Sequence, residues 1–308
     1  MSVVDPSARR TSLPLSSEQP FSSADGLTVR FWGVRGEVPT PGNDMVQYGG
    51  NTPCVELQAG QQRLIFDGGT GLRVLGKQLL QEMPTQAHLF FTHTHWDRIQ
   101  GFPFFQPAYQ EGNCFEIYGA IAQNGASIKQ RLYDQMLRPN FPVPLQMMRS
   151  ELRFHDIASG QKIAIEDEVE VEPLFLNRLT SALGYRISWK GHAIVYATDI
   201  EPSGEQVGQK LCYLAQGAEL LILDVSSTDS GVSVSSGIDD SLDEMIQRQV
   251  ALWSAGIEAA TAAQVKQIVL FHYDPAYDDV ILERIEAQTQ AKFPQVKFAR
   301  EGMVLPVV

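Results

Sequence analysis

Phe91-Thr92-His93-Thr94-His95-Trp96-Asp97-Arg98-Ile99-Gln100-Gly101 follows directly on an apolar run, His88-Leu89-Phe90-Phe91, whose composition predicts a β-strand. A strand end delivers the chain to a loop, and a loop can turn alternate side chains toward one point. Here the alternate side chains are two imidazoles and a carboxylate, the donors that Zn²⁺ and related divalent ions accept. Chance clustering is the competing account, and the flanking sequence weighs against it.

Upstream, short β-type runs at Val29–Trp32, Cys54–Leu57 and Leu64–Phe66 are separated by Gly, Pro and Asn. Apolar residues three and four apart predict helices over Leu72–Leu80 and around Ile128–Leu137. Downstream the scheme repeats, with strands predicted at Val169–Leu176, Leu183–Ser188, Ala193–Thr198, Leu220–Val225 and Gln267–His272. Helices are predicted near Glu205–Ala215, Leu242–Ala263 and Val280–Ala291. Two β-rich halves with outer helices imply an α/β (α+β) protein built as a four-layer αββα sandwich. Met1–Gly26, rich in Ser and Pro, reads as a mobile tail, and residues 27–308 as a single domain. Ser226–Ser241 reads as a surface loop.

Composition narrows the function classes. Twenty-four Lys and Arg against 36 Asp and Glu give a net charge of −12, which argues against a broad nucleic-acid surface and leaves room only for a local cationic pocket. No stretch approaches the roughly 18 apolar residues of a membrane span. Three scattered cysteines without a CxxC pair suggest neither a disulfide framework nor a thiolate zinc knot, so a cytoplasmic location is expected.

Several further motifs accompany the histidine segment in order: Gly33-Val34-Arg35-Gly36, Tyr48-Gly49-Gly50-Asn51-Thr52, Phe66-Asp67-Gly68-Gly69-Thr70-Gly71, Thr198-Asp199 and Leu270-Phe271-His272-Tyr273-Asp274-Pro275. Together they resemble the metallo-β-lactamase fold superfamily, and within it the ribonuclease Z and phosphodiesterase-like branch, from about Val29 to the C-terminus. The resemblance implies a dinuclear metal site and hydrolysis of a phosphodiester or ester by a metal-activated hydroxide. Carried over position by position, it makes His93, His95, Asp97, Asp199 and His272 metal-ligand positions.

Two positions depart from the pattern. The final His of the His-X-His-X-Asp-His signature is Arg98, and the His expected after the strand ending at Leu176 is Arg178. Relatives of this branch also carry a His before the last ligand, but none occurs here between Asp224 and His272, and Tyr273 follows in place of a second His. A guanidinium about 4 Å from a divalent ion repels it by roughly 8 kcal/mol at an effective dielectric of about 20, and Arg cannot escape by deprotonating. Arg98 and Arg178 are therefore expected to replace metal, with charge-assisted hydrogen bonds to Asp97 and Asp199. A full dinuclear centre is not expected; at most one divalent ion (Zn, Mn or Fe) is, held by His93, His95 and Asp199 with water as the fourth ligand.

Other residues are weighed and set aside. Asp67 and Tyr273 are expected to support ligands from behind; His88, His155 and His192 to be structural or exposed; Trp96, Phe102, Phe104 and Phe105, which flank the ligand segment and could line a substrate pocket, to belong rather to the core. Asp224 and Glu201 receive no catalytic role, and no residue is assigned as catalytic. The functional expectation is a pseudoenzyme of this fold that binds a protein partner or a small phosphorylated ligand, with a homodimer compatible with the family. The alternative is a mononuclear metal-dependent phosphodiesterase or hydrolase. A phosphate clamp made by the two arginines ranks below both.

Overall fold

A computed structural model describes residues 26–166, 168–177, 180–201, 205–225 and 241–308. All of the expected tail but Gly26, Arg178, and all of the expected loop 226–241 but Ser241 lie outside the described residues.

Two seven-stranded sheets face one another. The first runs β14-β1-β2-β3-β4-β5-β6 across its width, and the second β13-β12-β11-β10-β9-β8-β7. In the first sheet the strands are β1 (Leu27–Gly33), β2 (Cys54–Ala59), β3 (Gln62–Phe66), β4 (Gln86–Phe90), β5 (Cys114–Ala120), β6 (Glu151–Ile157) and β14 (Val304–Pro306). In the second they are β7 (Ile163–Ile165), β8 (Val169–Phe175), β9 (Leu183–Trp189), β10 (His192–Ile200), β11 (Leu220–Val225), β12 (Gln267–Leu270) and β13 (Val296–Phe298).

Helices α1 (Thr70–Leu79) and α3 (Ile128–Asp134) cover the first sheet, and α4 (Glu205–Ala215), α5 (Leu242–Ala262) and α6 (Asp279–Lys292) pack on the second. The αββα order expected from the sequence is thus the one observed. Leu72, Leu75 and Leu79 give α1 its buried stripe. A capping box between Ser241 and Glu244 starts α5. No described helix is long and apolar enough to cross a membrane.

One core fills the space between the sheets and the outer face of the second; it includes Phe66, Phe90, Tyr185 and Phe271. The other lies between the first sheet and its helices, around Leu75, Phe91, Phe102 and Phe115. β11, parallel to β10 and β12, is buried along its whole length, as a central strand with both faces covered must be. β3–β6 form one parallel block and β10–β13 another. Parallel strands gather their carboxyl ends on one edge, where ligand sites of such sheets form. Asp67 follows β3, Thr92 and His93 follow β4, Asp199 lies near the end of β10, Asp224 near the end of β11, and His272 follows β12.

Candidate metal centre

Three of these strand-end residues are held in the left-handed backbone region, where side-chain-bearing residues are uncommon: Asp67 (φ 60°), Asp199 (φ 57°) and His272 (φ 66°). At Asp199 the cause is visible in the ladder. The β10–β11 register shifts between Ala197 and Ile200, a bulge that re-aims the carboxylate. Gly36 lies against the His272 ring, where an added Cβ would meet ring carbons at 3.0 Å.

Trp96–Ile99 forms one short turn of helix, α2, with His95 as its N-cap, so Asp97 and Arg98 lie on a helix rather than in a loop. The Asp67-Gly68-Gly69 turn and this segment touch through backbone: Gly68 N–H donates to Arg98 O, and Gly101 N–H to Gly68 O at 2.9 Å.

His93, His95 and Asp199 are brought together. One donor atom from each lies within 4.8 Å of the others, His93 Nε2 is 3.9 Å from Asp199 Oδ2, and the two imidazoles meet edge to face at 4.3 Å. The hydrogen bonds behind His93 choose its tautomer. The Thr92 hydroxyl gives its one proton to Asp67 Oδ1 at 2.9 Å, so its oxygen accepts from His93 Nδ1 at 3.0 Å. Nε2 then carries the lone pair toward Asp199 and His95. Burial, with the Arg98 charge, holds the His93 pKa well below its ordinary value, so the ring stays neutral. Asp199 accepts from Thr180 Oγ1 at 2.5 Å; burial raises its pKa, and Asp224 adds to the rise.

Asp97, Arg98 and His272 form a separate arrangement. Arg98 is fully buried, and its Nη1 donates to Asp67 Oδ2 at 2.9 Å, to Thr198 Oγ1 at 3.2 Å and to Tyr196 Oη at 3.3 Å. Its Nε lies 3.3 Å from Asp97 Oδ2 and its Nη2 3.9 Å from Asp224 Oδ2. Burial opposes its charge, but Asp67 and the other acids overcome that and hold its pKa above the usual value. His272 is gripped on both sides, Nε2 by Asp97 Oδ2 at 2.8 Å and Nδ1 by Asp224 Oδ2 at 3.1 Å. Burial and Arg98 act against its proton, yet Asp224 and Asp97 win and its pKa is pushed up to about 9. Asp97, though buried, is held well below the usual carboxylate range by His272 and Arg98.

This corrects the expected pairing of Arg98. The guanidinium does meet Asp97, as expected, but its shorter contact is to Asp67, behind the ligand residues; Asp199 accepts from Thr180, and the Arg178 expected to serve the acids lies outside the described residues. Asp67 is completely enclosed; burial raises its pKa, but it accepts from Thr92 N–H, the Thr92 hydroxyl, Arg98 and Tyr196, and four donors leave room only for a carboxylate. Tyr273 is not brought to the site: its hydroxyl lies 2.9 Å from Leu270 O and from Ala299 O, and its ring stacks on Phe298. Asp224, given no role from sequence, joins Arg98, His272 and the Asp199 N–H. Its signal was its place at the end of an apolar strand, like Asp67 and Asp199.

His88, His155 and His192 lie elsewhere, against Tyr118, Glu116 and Glu219. Phe102 and Phe105 are core, but Trp96 and Phe104 are exposed, against expectation, because α2 turns its first residue outward and the Phe102–Phe104 turn does the same with its last.

With His272 protonated, three carboxylates (Asp67, Asp97, Asp224) face two cations among the described residues, and Asp199 adds a further negative charge beside His93 and His95. A neutral imidazole with its lone pair aimed inward, a second imidazole in contact and a carboxylate beside them fit one divalent ion. The other half does not fit one: both His272 nitrogens are engaged and a guanidinium fills the space.

The beta-lactamase superfamily domain model matches residues 62–273, more than half of the chain. Ribonuclease Z of Synechococcus sp. (strain CC9311) is 24% identical over 91% of this chain and 99% of its own length. The crystal structure of the short form of human tRNase Z is similar at 17% identity and a TM-score of 0.58, covering 91% of this chain and 99% of that one. Zn²⁺-bound PqqB from Methylobacterium extorquens is similar at 14% identity and a TM-score of 0.59, covering 90% of this chain and 99% of that one. With ribonuclease Z sequences among its relatives and the same sandwich in its structural neighbours, the chain belongs to the beta-lactamase superfamily domain family and has the metallo-β-lactamase fold.

Proposed function

We propose that the chain is a hydrolase with a single divalent ion, held by His93, His95 and Asp199, in which Arg98 and protonated His272 take the place of a second ion. The observation that carries this reading is the convergence of the three donor atoms within 4.8 Å, apart from the Arg98 ion pairs. An ion held there supplies Lewis acidity toward a phosphoryl or carbonyl oxygen.

The chain's own part is orientation and charge. Thr92 sets the His93 tautomer, Thr180 and Asn177 steady Asp199, and Asp67 locks Arg98 in place. His272 has no free proton for a leaving group, since both ring nitrogens are committed. The substrates this arrangement suits are therefore phosphodiesters or esters whose leaving group departs without protonation. Ribonuclease Z relatives support a phosphodiester as the class to try first.

Equilibrium dialysis against zinc, with bis(p-nitrophenyl) phosphate as substrate, tests the proposal. About one ion per chain and turnover are expected, both lost in His93→Ala and Asp199→Ala. No zinc above background would end it.

One observation favours a second reading, a fold that binds a protein partner or small ligand without chemistry. Asp67, Asp97, Arg98, Asp224 and His272 are joined to one another by ion pairs without any ion. Zinc binding without turnover of any phosphodiester or ester would support it.

A further inference from the structure

His93 and His95 border a cavity of about 140 Å³, and both halves of the sandwich build its walls. Arg131 comes from α3 over the first sheet; Thr180 and Ser181 come from the segment before β9 of the second. Gln123 Nε2 donates to Ser181 Oγ at 3.1 Å and ties the two walls together.

Arg131 is the cation of this wall. Its Nη1 donates to Thr94 Oγ1 at 3.0 Å, and its Nη2 to Ala120 O. The guanidinium is thereby fixed beside the residue that separates the two histidines. These bonds use two of its five N–H groups, and its Nε is buried without a partner. The two acceptors are neutral, and among the described residues no carboxylate forms an ion pair with it. Burial lowers its pKa, with only partial compensation from the more distant Asp156 charge, and Asp156 itself accepts the Ile128 N–H.

A half-buried guanidinium without a counter-ion is expensive unless something arrives to pair with it. Its fork geometry suits a phosphoryl or carboxylate group. The cavity is too small for a polymer to pass through, and the net charge of −12 repels a polyanion.

We propose that Arg131 is the specificity-determining residue of this cavity, its remaining N–H groups holding the terminal oxyanion, phosphoryl or carboxylate, of a small anionic ligand in front of His93 and His95. The proposal deepens the reading of His93, His95 and Asp199 as the working side of the site, yet the contact itself needs no ion.

The full chain, treated with chelator, is titrated calorimetrically with inorganic phosphate and separately with acetate. Wild type is expected to bind at least one of them saturably, and the tighter of the two names the oxyanion class. Arg131→Gln should weaken that binding roughly tenfold or more, and Arg131→Lys by less, since it keeps the charge and loses the fork. Thermal unfolding of each variant establishes that it is folded. Wild-type affinity in folded Arg131→Gln overturns the proposal, as does the absence of binding to wild type. Should Arg131→Gln not fold, Arg131→Lys decides, and an affinity equal to wild type refutes the fork. Zinc dialysis of the same samples separates the two readings. Arg131-dependent anion binding without zinc uptake removes the metal centre and leaves this proposal standing; zinc uptake without anion binding does the reverse.

Discussion

On the proposed reading, Arg98 sets how many ions the site can hold. Its guanidinium occupies the space among Asp67, Asp97 and Asp224, and at about 4 Å it would repel a divalent ion there by roughly 8 kcal/mol at an effective dielectric of about 20. Arg98→His removes that charge and returns an imidazole, so zinc stoichiometry by dialysis and elemental analysis is expected to rise from about one to about two per chain. An unchanged count would mean that Arg98 does not stand in an ion's place. Arg98→Met leaves Asp67 enclosed without a cation, and is expected to cost about 3–5 kcal/mol by urea unfolding. His272 is expected to make stability pH-dependent. Its pKa is raised to about 9 from an unfolded value near 6.5, so its contribution is complete below about 6.5 and disappears as pH rises through 9. A shift of that size corresponds to on the order of 3 kcal/mol. Urea unfolding of the chelated chain between pH 6.5 and 9.5 should show falling stability in wild type and a flatter profile in His272→Gln; parallel profiles would remove the imidazolium from the account.

Between elements, backbone contact sets the site. An added Cβ on Gly101 would lie 1.8 Å from Gly69 O, and one on Gly69 would lie 2.4 Å from Asp97 O. The turn after β3 and the short helix after β4 meet with no room for a side chain, and this contact positions Asp67 opposite Arg98. Gly101→Ala is therefore expected to destabilise by about 3 kcal/mol, an overpacking cost, and to weaken zinc binding through displacement of the neighbouring segment. Gly208→Ala in α4, where the added carbon meets open space, should be near neutral in both assays. Strands carrying dense apolar runs, β4 and β11 among them, were legible because burial on both faces leaves that pattern. The edge strand β6 was not, since Glu151, Arg153 and His155 alternate with its apolar residues, and β13 and β14 have only three residues each. At the site, the histidine segment was legible as a cluster. Asp67 stands behind the ligands as expected, but its ion pair with Arg98 and the whole role of Asp224 were not legible, because an acid at a strand end reads the same whether it is solvated or paired with a distant arginine. The Arg98–Tyr196 and His272–Asp97 contacts join residues 98 and 175 positions apart, which no local pattern encodes.

Across the whole molecule, the two parallel blocks approach each other at their carboxyl ends, where like-charged acids would drive them apart unless something bridges the sheets. Arg98, from the β4 side, reaches Asp224 on β11, and His272, after β12, reaches Asp97 on α2. These bridges are internal to the chain, so the sandwich is expected to close without an ion. The His93 and His95 side differs: Asp199 belongs to the second sheet and the histidines to the first, and a zinc ion held by all three would add a bridge to the native state alone. Binding only to the native state stabilises by mass action, about 2.7 kcal/mol at a hundredfold excess over the dissociation constant. For a chain of this size that corresponds to a rise in midpoint of roughly 4 °C. The expectation is thus twofold in one calorimetric experiment: chelated protein unfolds in a single cooperative transition, and zinc moves that transition upward in wild type but not in His93→Ala. Loss of the transition on chelation would show that the arginine and histidine bridges cannot close the sandwich alone. A wild-type midpoint indifferent to zinc would show that His93, His95 and Asp199, though adjacent, do not bind it.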